Sequence, residues 1–170
     1  MTSNGLNSQT ETKPRECGYC QLCCTALEVK PLNKPSLRSC EHQLASTSCS
    51  GCGIYGTPER PEGCSSFRCL WLLGFFSNQD QPHRSKVLFE FYTTIQGKPV
   101  IRALEVVPGA WDNPRVQKCS EILEEKGVTV IVVLFDGRKL VRTRDVAGGQ
   151  ILGKITLDQG GLGDGRNFSV

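Results

Sequence analysis

Nine of the ten cysteines in this 170-residue chain lie between Cys17 and Cys69, and the tenth is Cys119. That asymmetry constrains the chain more than any other feature. The first cluster is Cys17-x-x-Cys20-x-x-Cys23-Cys24, followed by Cys40-Glu-His42, Cys49-x-x-Cys52, Cys64 and Cys69. Two-residue spacers let two sulfurs reach one ion without strain, and thiolates bind soft or borderline metals. A single such pair is weak evidence, whereas staggered pairs followed by five more cysteines are strong.

Alternative uses of the cysteines fit less well. Cysteine is often a buried small hydrophobe, which suits Cys119 on the apolar face of an expected helix. The clustered nine stand among Gly, Ser, Pro and Glu, which is not an apolar face. A disulfide framework requires an oxidising compartment. The segment Met1 to Pro14 is polar, with no apolar signal-peptide core. A cytoplasmic protein with a disordered tail over 1–14 is therefore expected.

In a helix, at about 100° per residue, Cys17, Cys20 and Cys24 fall within about 60° of one another and Cys23 lies off that face. Cys23 and Cys24 then serve two metals or link two sites. A compact turn is the alternative, and the residues alone do not choose.

The cysteine-rich stretch runs over 15–76. From 77 to 157 the pattern is that of ordinary secondary structure, and 158–170 reads as a flexible Gly-rich tail. Lys86 to Thr94 is rich in β-formers, Gln96 to Pro99 is a turn signal, and Val100 to Val107 returns. Asn113-Pro114 is an N-cap with proline at the first helical position. Val116, Cys119 and Leu123 share a helix face, and Gly127 ends it. Val128 to Phe135 and Arg138 to Arg144 are strands joined by a two-residue Asp136-Gly137 turn. Ile151 to Leu157 is a short further strand. The fold class expected is α+β: a β-β-α-β-β, mostly antiparallel sheet with the N-terminal cysteine-rich metal-binding region packed on it.

The formal charge of +3 does not point to nucleic acid, because Lys and Arg are scattered. Thiolates on two zinc ions would turn the balance slightly negative. No apolar run approaches the roughly 18 residues of a membrane span, so neither nucleic acid nor membrane is an expected partner. Gly148 to Lys154 matches a phosphate-loop frame, but Ile155 stands where the motif needs Ser or Thr. No arrangement supports a hydrolytic triad.

The cysteine pattern, with Gly51-Cys52-Gly53-Ile54-Tyr55, Arg60-Pro61, Cys64 and Phe67-x-Cys69-x-Trp71-Leu72, resembles the CxxCxxCC family of YkgJ-like cysteine-cluster proteins. The similarity covers roughly residues 17 to 76. It implies a zinc- or iron-chelating domain and supplies neither substrate nor reaction. In the family pattern a cysteine directly follows the histidine of Cys-x-His. Here Gln43 stands there and Cys49 comes later, so the roles of Cys49 and His42 stay open.

The expected ligands are Cys17, Cys20, Cys23, Cys24, Cys40, Cys49, Cys52, Cys64 and Cys69, with Tyr55, Phe67 and Trp71 as a small core beneath the metal. Zinc is favoured, because thiolate sites fold small regions that lack apolar mass. The alternatives are an iron or iron–sulfur oxidoreductase or electron-transfer protein and an interaction module with a structural metal. Cys17, Cys20 and Cys23 match the start of a ferredoxin-like run, but Leu27 stands where its fourth cysteine would be.

Overall fold

A computed structural model describes residues 15–44 and 51–144. Cys49, the possible strand at 151–157, the phosphate-loop-like stretch and both tails lie outside the described residues. The elements in chain order are α1 (Leu22–Ala26), α2 (Glu62–Ser66), α3 (Pro82–Ser85), β1 (Val87–Ile95), β2 (Lys98–Glu105), α4 (Pro114–Glu125), β3 (Thr129–Val133) and β4 (Lys139–Arg142), with single 3₁₀ turns at Lys30–Leu32, Asn78–Asp80 and Ala110–Asp112.

The four strands form one sheet in the order β1-β2-β3-β4. Two of its seams are antiparallel hairpins, β1–β2 and β3–β4. The middle seam, β2–β3, is parallel, running from Val100 opposite Thr129 to Leu104 opposite Val133. A parallel pair needs a crossover, and α4 supplies it. The fold is thus mixed α+β with a mostly antiparallel sheet, as the residue pattern indicates.

Local chemistry explains the boundaries of α4. The Asn113 side chain accepts the Arg115 backbone N–H at 2.9 Å, and Pro114 opens the helix. At the other end Gly127 has φ +73°, Gly127 N–H donates to Glu124 O, and Val128 N–H donates to Leu123 O. This is a Schellman closure, which favours glycine. Val116, Cys119 and Leu123 are buried, in keeping with the helix-face pattern.

The turn between β3 and β4 differs from expectation. Leu134 N–H donates to Arg138 O at 2.8 Å and Gly137 N–H to Leu134 O at 2.9 Å, with Gly137 at φ +86°. The loop therefore has three residues, Phe135-Asp136-Gly137. Glycine takes the left-handed position after a tight turn, the usual three-residue solution.

β1 separates two environments. Successive strand residues point to opposite faces. Leu88 lines a small cavity with Cys17, Cys20, Cys23 and Cys69. Its neighbour Phe89 stacks edge-on with Phe76 and meets Trp111, and it lines a cleft with Val116 and Cys119. The cysteines and α4 thus occupy opposite faces of this strand. Leu22 and Ala26 of α1 belong to the same cluster of buried side chains as Leu70, Leu88, Trp111 and Val132. Among the described residues from 15 to 66 they are the only buried hydrophobic side chains.

The chain leading into the cluster is tied down by Arg15. Its guanidinium donates to Trp71 O and Phe76 O, both at 2.6 Å, and lies over the Trp71 ring.

Candidate metal centre

The first cysteines are not on one helix face. Gly18 has φ +52°, and Cys20 N–H closes a turn onto Cys17 O at 2.9 Å. Only Leu22–Ala26 is helical. The turn alters the grouping that a continuous helix gives. Cys17, Cys20 and Cys23 line one cavity with Cys69, walled by Phe67, Trp71, Leu72, Pro82 and Leu88, and Cys24 is not among the lining residues. Gly18 permits this path, because a left-handed φ is unstrained only without a Cβ.

Cys24 lies within electrostatic reach of Cys64, which also senses Cys40 and Cys52. Backbone contacts hold these segments together. Gln43 N–H donates to Cys40 O at 3.0 Å, and Gln43 forms an isolated antiparallel bridge with Cys52. Gly53 N–H donates to His42 O at 2.7 Å. Gln21 Nε2 donates to Leu44 O at 2.8 Å. Gly51 faces Gln21 so closely that an added Cβ would stand 2.6 Å from Gln21 Cγ. The stretch bearing Cys52 is thereby laid against the start of α1.

Of the eight described cysteines other than Cys119, a first set of four, Cys17, Cys20, Cys23 and Cys69, lines this cavity; the other four, Cys24, Cys40, Cys52 and Cys64, do not, and Cys24 is an electrostatic neighbour of Cys17 and Cys20 as well as of Cys64. None is in a disulfide. Cys119 is apart from both, buried on α4, and burial pushes its thiol up to about 12.

Burial chiefly raises the pKa of the first set. It holds up Cys17, where the neighbouring Cys20 adds to the effect, and it pushes Cys69 up to about 11. Cys20 is raised by burial too, although backbone N–H groups of Leu22 and His83 reach its sulfur. Cys69 likewise receives N–H groups from Leu72 and Trp71. Backbone N–H donors aimed at sulfur stabilise thiolate and tune thiolate-bound metals.

The Cys23 thiol donates to Cys24 and is itself held strongly protonated, by that hydrogen bond and then by burial. Cys24 falls to about 7, through the hydrogen bond from Cys23, with Lys34 and Arg60 helping and burial opposing.

Two cations were not singled out by the cysteine pattern. Lys34 is buried, and its ammonium donates to the carbonyls of Thr25, Leu27 and Pro35. It lies within reach of Cys40, Cys24, Cys23 and Cys64. Arg60 donates to Cys64 O at 2.6 Å and lies over the Tyr55 ring at 4.4 Å. Tyr55 itself is 55% exposed. It is therefore not part of a core beneath the cysteines, in contrast to the expectation, because its ring packs on the Arg60 guanidinium. Trp71 is buried and Phe67 partly so. Arg60-Pro61 was legible only as part of a family pattern, and Lys34 carries no local signal.

His42 stands 3.5 Å from Glu41. His83 packs edge-on against Tyr19 at 4.7 Å, and burial, then Arg84 and Lys86, hold its pKa down. The donors present are of the kind that zinc or an iron–sulfur centre takes, and there are enough for two four-thiolate sites. Their spacing is open. Among the described residues no group of three or more His, Cys, Asp or Glu is gathered so that it could hold a metal ion as it stands.

No family model matches this chain, nor does any curated protein or solved structure. Among the described residues no helix is long and apolar enough to cross a membrane.

Proposed function

We propose that this chain is a metal-chelating protein of the cysteine-cluster type, with zinc as its metal and a reducing, cytoplasmic environment as its setting. One observation carries the reading. Four thiols from two separate stretches of chain line one cavity beside a five-residue helix, with Cys24, Cys40, Cys52 and Cys64 as further thiols among which electrostatic interactions reach, in a region with almost no apolar core of its own. Bringing that many ionisable, oxidisable thiols together gains little by burial, whereas thiolate–metal bonds supply folding free energy directly. Cys17, Cys20, Cys23, Cys24, Cys40, Cys52, Cys64 and Cys69 are the proposed ligands, and Cys49 is retained as a candidate. The sheet and α4 serve as the support on which this region packs.

Bound zinc would supply charge neutralisation for the thiolates and a fixed crosslink between the segments. The protein's own part is to hold the sulfurs near one another and to aim N–H donors at Cys20 and Cys69. The test is elemental analysis of full-length protein purified anaerobically under reducing conditions. Colourless protein containing zinc is expected, since the ion is d¹⁰. Brown protein with iron and inorganic sulfide would replace zinc by an iron–sulfur centre. Protein that neither contains metal nor takes up added Zn²⁺ would sink the chelation reading.

A further inference from the structure

We propose that the cleft between α4 and β4 binds a small organic anion, a carboxylate carried on an apolar body about the size of a phenyl ring with a short chain. This site shares no residue with the cysteine region.

The cleft arises from the topology. β2 and β3 are parallel, so they end at the same edge of the sheet. The chain leaves β2 after Glu105 toward the turn at Ala110–Asp112, and leaves β3 through Leu134 toward β4. A crevice opens where two such connections part, the usual ligand position in α/β sheets. Here it holds about 610 Å³ and is lined by Trp111, Leu134 and Leu140 together with Gln117, Arg138 and Arg142. Volumes of roughly 300–1,000 Å³ suit small molecules. The inner end is fixed, because the Glu105 carboxylate accepts Trp111 N–H on one oxygen and Phe135 N–H on the other.

The polar part of the lining suits an anion. Leu140 and Arg142 stand opposite Val132 and Val130 of β3 and share their face of the sheet. The two valines are fully buried, whereas Leu140 and Arg142 are half-buried. Arg142 is held in place without being used up. Its Nη1 donates to Gln117 Oε1 at 2.5 Å, Nη2 to Glu124 Oε2 at 3.5 Å, and Nε lies 2.7 Å from Glu124 Oε1, with the guanidinium over the Trp111 ring. Gln117 is itself fixed by donating to Trp111 O at 2.6 Å. A guanidinium carries five N–H donors, so these three contacts leave two for a ligand. Arg138, exposed beside Asp136, supplies a second cation. Of the acids in the lining, Glu105 is committed to main-chain donors, and Asp112 is the group that would favour a cation instead. The apolar body of the ligand then lies against Trp111, Leu134 and Leu140.

The experiment is a calorimetric titration of full-length, reduced protein with 3-phenylpropionate. One equivalent should bind, with a Kd of about 1 mM or tighter. The neutral 3-phenylpropionamide and inorganic phosphate should each bind at least about tenfold more weakly, the first for want of charge and the second for want of an apolar body. Leu140→Glu places a like charge on the wall and should weaken the acid by about tenfold. Arg142→Gln should weaken it at least as much. Because that change leaves the buried Glu124 unpaired, Arg142→Gln with Glu124→Gln is measured beside it, with urea midpoints to confirm the fold. No binding of the acid, equal binding of the amide or of phosphate, or tighter binding of phenethylamine through Asp112 would overturn the assignment. Unchanged affinity in both Leu140→Glu and the double variant would do the same. None of these readouts involves metal, so chelation stands or falls separately.

Discussion

Cys23 and Cys24 are neighbours in the chain of which only Cys23 lines the cavity shared by Cys17, Cys20 and Cys69, and the Cys23 and Cys24 side chains hydrogen-bond to each other. In metal-free protein this makes Cys24 the readiest nucleophile of the cluster, because the thiolate is the reactive form. Cys24 is lowered to about 7, so its thiolate fraction climbs as pH rises through 7 while its buried neighbours stay protonated. Iodoacetamide should modify Cys24 first between about pH 6.5 and 8, as read by peptide mass mapping. Cys23→Ala removes the donor and should move this reactivity to higher pH. Earlier labelling of Cys17 or Cys69 than of Cys24 would contradict the assignment.

The two tryptophans report on opposite sides of β1. Trp71 walls the cysteine cavity, and Trp111 meets Phe89 near α4. Stripping metal should therefore alter the emission of Trp71, as the region loses an interaction worth about 10 kcal/mol in structural zinc sites. In Trp71→Phe the change on chelation should vanish, and in Trp111→Phe it should persist. A full-sized change in Trp71→Phe would mean that the sheet responds as one unit with the cysteines.

Glu105 ties the two ends of the crossover together. Its buried carboxylate accepts Trp111 N–H at 2.9 Å and Phe135 N–H at 2.8 Å. Glu105→Leu strands both donors, at about 1–3 kcal/mol each. Glu105→Gln keeps one acceptor and should cost roughly half as much. Equal urea midpoints for the two variants would show that these bonds do not matter.

Glu90 and Arg102 form a cross-strand pair, with Arg102 Nε 2.7 Å from Glu90 Oε1. Burial raises the Glu90 pKa, and Arg102 restrains that rise. Replacing the arginine alone, as Arg102→Leu, leaves a buried carboxylate unpaired and should cost about 3–5 kcal/mol at pH 7. A carboxyl whose folded pKa is raised favours the folded state below its unfolded value of about 4.3 and loses that advantage as pH rises through the folded value. The deficit of Arg102→Leu relative to the unsubstituted protein should therefore shrink as pH falls from 7 toward 5. The double variant with Glu90→Leu should recover most of the loss. A deficit that grows on acidification would refute the charge account.

Much of the sheet region was legible because local signals agreed with tertiary structure. The run of β-formers in Lys86 to Thr94, the Asn113-Pro114 start and the Gly127 stop each act within a few residues, and each matches the element found there. The Asp136-Gly137 turn was legible in place but not in length, because whether Phe135 joins the loop depends on pairing between Leu134 and Arg138. The kinds of donor in the cysteine region were readable from composition, but their grouping was not. It turns on one positive φ at Gly18 and on Cys69 arriving from a distant segment. Lys34 was invisible for a related reason, since three main-chain carbonyls define its place and no side-chain pattern announces them.

The parallel seam between β2 and β3 has a consequence for how the sheet assembles. Each outer seam joins strands that follow one another closely in the chain, so either hairpin can close early and break apart again at small entropic cost. The seam joining Val100 to Thr129 cannot form until α4 has folded back across the sheet. Commitment to the native topology therefore waits on that docking step. Substitutions at Ala103 and Val132, which face each other there, should slow refolding, whereas changes in the outer hairpin loops should act mainly on the rate of unfolding.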